Sequence, residues 1–103
     1  MKILADFRDK ILYIQLLGEV DEHNAALVRK NADNLADEYA PRAEKVVFDL
    51  RNISFMDSTG IGFLIGRYKK FQRYGVPVYV TNPTLATDRI LAMSGIYSLM
   101  QKI

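Results

Sequence analysis

Apolar positions along this chain change period several times, and each change marks an element. Met1 to Arg8 and Ile11 to Leu16 read as strands joined at Asp9-Lys10, so a hairpin is expected. Gly18 breaks the second run, and Glu19-Val20 reads as a short strand end. The period then lengthens: Ala25, Val28, Ala32, Leu35, Ala36 and Tyr39 fall on one face of a helix. Asp21 or Asn24 caps that helix and Pro41 closes it, while Arg29, Lys30, Asp33, Asp37 and Glu38 form its outer face. Val46 to Leu50 reads as a buried strand. A second helix is expected from Ser58 to Tyr74 on the stripe Ile61, Leu64, Ile65, Tyr68 and Phe71, with Gly75 ending it. Val76 to Val80 is the next strand, with Pro77 near its start. A third helix begins at Asn82-Pro83, turns Leu85, Ile90, Leu91 and Met93 to one side, and ends at Ser94-Gly95. Ile96 to Ile103 is a final strand or a docked tail. Strands alternating with helices predict one α/β domain, residues 1–103, with some parallel pairing.

Composition narrows the class. Half of the 103 residues are apolar and a quarter are charged, as in a folded domain with one modest core. No apolar run approaches the roughly 20 residues of a membrane helix. Asp6, Arg8, Asp9 and Lys10 interrupt any signal-peptide pattern, so a cytoplasmic protein with no membrane partner is expected. The chain has no cysteine and one histidine, which rules out a disulfide framework and leaves a metal site without ligands. Charge is uneven. Residues 1–50 hold ten acidic and seven basic groups, and residues 51–103 hold two and seven. Arg67, Lys69, Lys70 and Arg73 gather near the end of the second helix, where cations complement its dipole. No aromatic-and-basic RNA-binding pattern accompanies them, so direct nucleic-acid binding is not expected.

The chemistry concentrates at Ser54-Phe55-Met56-Asp57-Ser58-Thr59-Gly60-Ile61-Gly62, the connection between the central strand and the second helix. A helix start offers free N–H groups and a partial positive charge, which suits a hydroxyl that will carry phosphate. Ser58 does not fit a hydrolase nucleophile, because the elbow needs Gly where Met56 stands and His23 would be the lone base. Asp49 at a strand end resembles a phospho-accepting aspartate, but Asp6 alone cannot supply the acidic pair that chemistry needs. Gly60, Gly62 and Gly66 lack the Gly-Lys-Ser/Thr ending of a phosphate loop. Close packing of helix on sheet is the stronger account of Gly62 and Gly66; approach of a partner's backbone is the other. On spacing alone, Asp57-Ser58-Thr59 reads as a helix cap. Phe63 falls off the core stripe and is either an exposed apolar contact or packed under the neighbouring loop.

A resemblance changes that balance. Phe55-Met56-Asp57-Ser58-Thr59-Gly60-Ile61-Gly62, followed by Gly66-Arg67-Tyr68-Lys69, resembles the signature of the STAS family, the sulfate transporter and anti-sigma antagonist domains. Within it the chain is most similar to bacterial anti-sigma factor antagonists of the sporulation sigma-F type. Gly18-Glu19-Val20-Asp21-Glu22-His23, Asn82-Pro83 and Met93-Ser94-Gly95-Ile96 are similar to further landmarks, so the likeness covers nearly the whole chain. It implies a small mixed sheet with helices packed mainly on one side. It implies that Ser58 is phosphorylated by a partner that is both serine kinase and anti-sigma factor, with Asp21 beside the site. The unmodified form binds that partner and frees the sigma factor; the phosphorylated form does not, and a serine phosphatase restores it. Asp21, Asp57, Ser58, Thr59, Gly60, Gly62 and Phe63 are the expected partner-binding residues. Thr59 stands where a second serine is usual and keeps a second hydroxyl. Glu22 replaces a common histidine, and relatives often add a helix beyond the position of Ile103.

The expectation is therefore a monomeric regulator, not an enzyme, with no cofactor and no metal. A STAS scaffold subunit in a stress-signalling complex and a small nucleotide-binding module are the two other classes the residues allow. The charge of a phosphoserine, roughly −1.5 to −2 at pH 7, is expected to act at an interface without refolding the domain.

Overall fold

The structure, a computed structural model, describes residues 2–103. The start of the first expected strand at Met1 lies outside the described residues. Strand β1 (Lys2–Arg8) and strand β2 (Ile11–Gly18) pair antiparallel from Lys2 opposite Leu17 to Arg8 opposite Ile11. Asp9 and Lys10 both adopt positive φ, 53° and 63°, as the two-residue primed turn of a tight hairpin requires. Aspartate tolerates that region, but Lys10 is held there against local preference. Helix α1 (Ala25–Tyr39) and a single 3₁₀ turn, Ala40–Arg42, lead to strand β3 (Lys45–Ile53). Helix α2 (Ser58–Arg73), strand β4 (Val78–Thr81), helix α3 (Leu85–Ser94) and the short strand β5 (Gln101–Lys102) complete the domain.

The sheet order is β1-β2-β3-β4-β5, with β2 to β5 parallel. Every parallel step moves one place in the same direction through a helix. Because such crossovers are right-handed, all three helices fall on one face. The strands show it: Leu12, Ile14 and Leu16 of β2, Val46, Phe48 and Leu50 of β3, and Val78 and Val80 of β4 are buried under the helices. Phe48 and Phe71 meet edge-to-face at 6.4 Å in the middle of that layer. The other face has no helix. Tyr13 and Tyr79 flank Val47 there in register, with Arg8 stacked over Tyr13 at 4.6 Å and Lys45 over Tyr79 at 5.5 Å. Aromatic and cationic side chains thus shield Val47 without a second layer.

Near its end β3 carries one extra residue. Gln15 pairs Asp49 but Leu17 pairs Asn52. That bulge shifts the inward positions from Leu50 to Ile53, so the chain leaves the sheet with Ile53 and Met56 both buried. Asp49 Oδ1 accepts the Arg51 backbone N–H at 3.0 Å and its carboxylate pairs with Arg51 Nε. The aspartate weighed as a phospho-acceptor staples the bulge.

Two of the five charged positions read as the outer face of α1 turn out to face α2. Asp33 meets Arg67, whose Nε lies 2.9 Å from Asp33 Oδ1, and Asp37 meets Lys70 at 2.9 Å and the Tyr74 hydroxyl at 2.6 Å. Part of the uneven charge of the two chain halves is paired across these helices. Two local readings are corrected. Thr84, not Asn82, caps α3, with its Oγ1 accepting the Thr87 N–H at 3.2 Å, while Asn82 takes φ 55° in the preceding turn. Glu19 and Val20 lie outside β2.

Lys10→Gly relieves the left-handed strain at the hairpin. It is expected to raise unfolding stability by about 0.5–1 kcal/mol in urea titrations, the gain in the turn exceeding the entropy of a glycine in the unfolded chain. The exposed Lys10–Glu44 ion pair it removes, at 3.9 Å, is too open to offset that.

Candidate functional site

Three parallel strands, β2, β3 and β4, end at the same edge of the sheet, so the starts of α1, α2 and α3 gather there. The carboxyl edge of parallel strands is where side chains of successive connections converge. Asp57 is extended, at φ −133° and ψ −165°, and is the N-cap of α2. Its Oδ1 accepts the backbone N–H of Thr59 at 2.9 Å and of Gly60 at 3.2 Å. Ser58 is the first residue of the helix and is exposed. Its hydroxyl is therefore neither under the domain's own side chains nor within a helix interior.

The cap changes the electrostatics read from sequence. The anion seat at the start of α2 is already taken by the Asp57 carboxylate. A second negative charge on Ser58 would meet that carboxylate, not a vacant helix end.

Asp21 and Asn24 form a reciprocal turn ahead of α1. Asp21 Oδ1 accepts the N–H groups of His23 and Asn24, each at 2.9 Å, while Asn24 Oδ1 accepts the Asp21 N–H at 3.0 Å. The N-cap position is Asn24, and the Asp21 carboxylate is engaged in shaping its own turn. Between this region and α2 runs a groove of about 280 Å³ lined by Val20, Ala25, Arg29, Ser58, Thr59, Gly62 and Phe63.

Several expected site residues change role. Phe63 is 3% exposed and belongs to the core, with the Arg67 guanidinium 5.1 Å from its ring centre. The buried side of α2 comprises Gly60, Phe63, Leu64, Arg67 and Phe71, so the stripe is rotated toward α1 from the one the sequence suggested. The exposed aromatic in this stretch is instead Phe55, at 54%. It lies in the irregular segment before α2, where no periodicity could assign it a side. Arg29, read as an outer-face charge, lines the groove. Gly62 and Gly66 do not serve close packing, since a Cβ at either meets nothing within 4 Å. The close approach belongs to Gly60, where a Cβ would run into Met56 Sδ.

A family model for the STAS domain matches residues 2–103. The chain belongs to the STAS domain family. Among its relatives is the anti-sigma F factor antagonist of Paenibacillus polymyxa, 34% identical over 90 residues, covering 87% of this chain and 75% of the relative. The anti-sigma-B factor antagonist of Bacillus subtilis is 25% identical over 89 residues, covering 86% and 78%. Among solved structures, the anti-sigma factor antagonist SpoIIAA in its unphosphorylated form aligns with TM-score 0.78 at 20% identity, over 99% of this chain and 88% of that one. The phosphorylated form of the Bacillus protein aligns with TM-score 0.71 at 20% identity, over 99% and 91%. Both forms thus share the STAS fold described above. Among the described residues no helix is long and apolar enough to cross a membrane.

The glycines separate packing from access. Gly62→Ala is expected to raise stability by up to about 1 kcal/mol, the helix-propensity gain of an exposed site. Gly60→Ala is expected to lower it by about 1–2 kcal/mol through overpacking against Met56. Chemical unfolding of the two variants side by side checks both signs.

Proposed function

We propose that this STAS domain is an anti-sigma factor antagonist of the sporulation type, working in the cytoplasm and switched by phosphorylation of Ser58. The observation that carries the reading is the placement of Ser58: an exposed hydroxyl on the first residue of α2, beside an open groove at the carboxyl edge of the sheet. The relatives support it, the sigma-F antagonist at higher identity than the sigma-B one. The partner is an anti-sigma factor with serine kinase activity. Unmodified, the domain docks on it and the sigma factor is released. The γ-phosphoryl group of ATP then passes to Ser58 Oγ; the bond to the departing ADP breaks and the hydroxyl proton leaves to a base of the kinase. A serine phosphatase hydrolyses the phosphoester and resets the switch.

The physics of the switch is local. Repulsion between the new charge and Asp57 is on the order of 1 kcal/mol if solvent-screened, which a folded domain tolerates. At an interface the same charge, desolvated and unmatched, costs several kcal/mol, and each ~1.4 kcal/mol is tenfold in affinity. Phe55, in the segment leading into α2, supplies an exposed apolar anchor of the aromatic kind that carries binding energy. Asp21, Asp57, Thr59, Gly60 and Gly62 frame the docking edge, and Phe63 acts from beneath it as the groove's floor.

Binding to the cognate anti-sigma kinase is measured for three chains. Ser58→Ala keeps full affinity and resists phosphorylation, whereas Ser58→Asp loses affinity by about tenfold or more. Equal binding of wild type and Ser58→Asp, or phosphate found by mass spectrometry at another residue, rejects the switch.

If the bare backbone at Gly62 admits a partner, Gly62→Ala weakens binding at least several-fold while stabilising the free domain. Unchanged affinity in a titration calorimeter would show that the partner does not approach there.

A further inference from the structure

Arg29 has no anion to serve in this fold. One turn further along α1, Asp33 is committed to Arg67, and among the described residues Arg29 enters no salt bridge. Two guanidinium groups lie near that seam with a single carboxylate, and only Arg67 pairs with it. Arg67 is 7% exposed, and its Nη1 is buried with no partner; its Nε reaches Asp33 at 2.9 Å without the alignment of a hydrogen bond. Burial pulls the Arg67 pKa down, Asp33 pushes it back, and the nearby charge of Arg29 lowers it again. The seam between α1 and α2 therefore carries one positive charge more than it neutralises.

Arg29 shares its groove with Ser58 and Thr59. A phosphoryl group on Ser58 Oγ does not gain the Thr59 and Gly60 N–H groups at the start of α2, because Asp57 already accepts both and repels it. It must turn away from that carboxylate. Space exists on the groove side, where a side chain at Gly62 would meet nothing within 4 Å.

We propose that Arg29 is the counter-ion that holds the phosphoryl group of a Ser58-modified chain inside this groove. The inference rests on the phosphorylation of Ser58 proposed above. A guanidinium meets a phosphoryl group through paired N–H donors in a fixed fork, which suits a dianion better than a lone helix N–H does. The modified chain thereby fills the groove with its own ion pair. It withdraws from the partner both the cleft and the cation that the unmodified chain presents.

The charged groups around the site are Arg29 and Asp33 on α1, Asp57 and Arg67 on α2, and Asp21, Glu22 and His23 in the turn before α1. Phosphoserine is placed at position 58 during translation, so that no kinase is needed. Its second ionisation is followed by phosphorus NMR, with His23→Gln in every chain so that the imidazole does not titrate in the same range. Against a usual value near pH 6, pairing holds the ionisation low. Arg29→Gln is expected to raise it by about half a pH unit or more, and Arg29→Lys to recover part of the difference. Arg29 is exposed, so the fold is expected to survive, as the amide spectrum checks; Arg29→Met stands in if Arg29→Gln does not fold. Superposable titrations with and without the arginine overturn the counter-ion. A kinase that modifies another residue while the titration difference persists overturns the phosphorylation reading and leaves the counter-ion standing.

Discussion

The handedness of three successive crossovers shapes this molecule. From β2 to β5 the chain steps sideways in one direction, and each step returns through a helix on the same side of the sheet. One consequence is a single apolar layer, with Phe48 and Phe71 at its centre and a bare opposite face shielded by tyrosines and stacked cations. The other is that three helix starts share one edge. Ser58 owes its neighbours to that edge, since Val20, Ala25 and Arg29, which line the groove with it, come from other segments of the chain.

Within this layer the helices α1 and α2 are matched by charge as well as by shape. Asp33 and Asp37 lie against Arg67 and Lys70. The exposed Asp37–Lys70–Tyr74 contact contributes little to stability but sets how the helices slide past one another. The Arg67–Asp33 pair is different, because removing one partner of a buried pair strands the other in a medium that cannot solvate it. Its position, one turn from Phe63 and the groove, fixes the seam on which the site is built. The match stays one carboxylate short, and that shortfall lies beside Ser58.

A helix start is commonly an anion site, yet here the chain brings its own anion. Asp57 caps α2 and so withholds the dipole from any charge added next door. Under the proposed switch, a serine in this setting would leave the fold indifferent to its modification and make the surface sensitive to it. That division is what a binding switch needs: little energy changes within the domain, and much changes at the contact it forms.

Periodicity placed the first four strands and, with the capping and breaking residues, the extents of α1 and α2, and so an α/β class with some parallel pairing, because each element buries one face and its apolar spacing records which; the strand ends shifted by pairing. The Asp-Ser-Thr cluster where a strand gives way to a helix read locally as a cap, which it is at Asp57, and only the likeness of Phe55–Gly62 to the STAS signature made it a candidate site. What the sequence could not carry was anything that depends on two segments meeting. Phe63 fell off the expected stripe because α2 is rotated to pack on α1 as well as on the sheet, and only that contact decides which side is inside. Gly60 and Gly62 look alike in sequence, but Met56 stands against one and nothing against the other. The bulge in β3, the shielding of Val47 and the placing of Arg29 and Ser58 on one groove arise from pairing register and helix docking. These are relations between distant residues, and no local pattern encodes them.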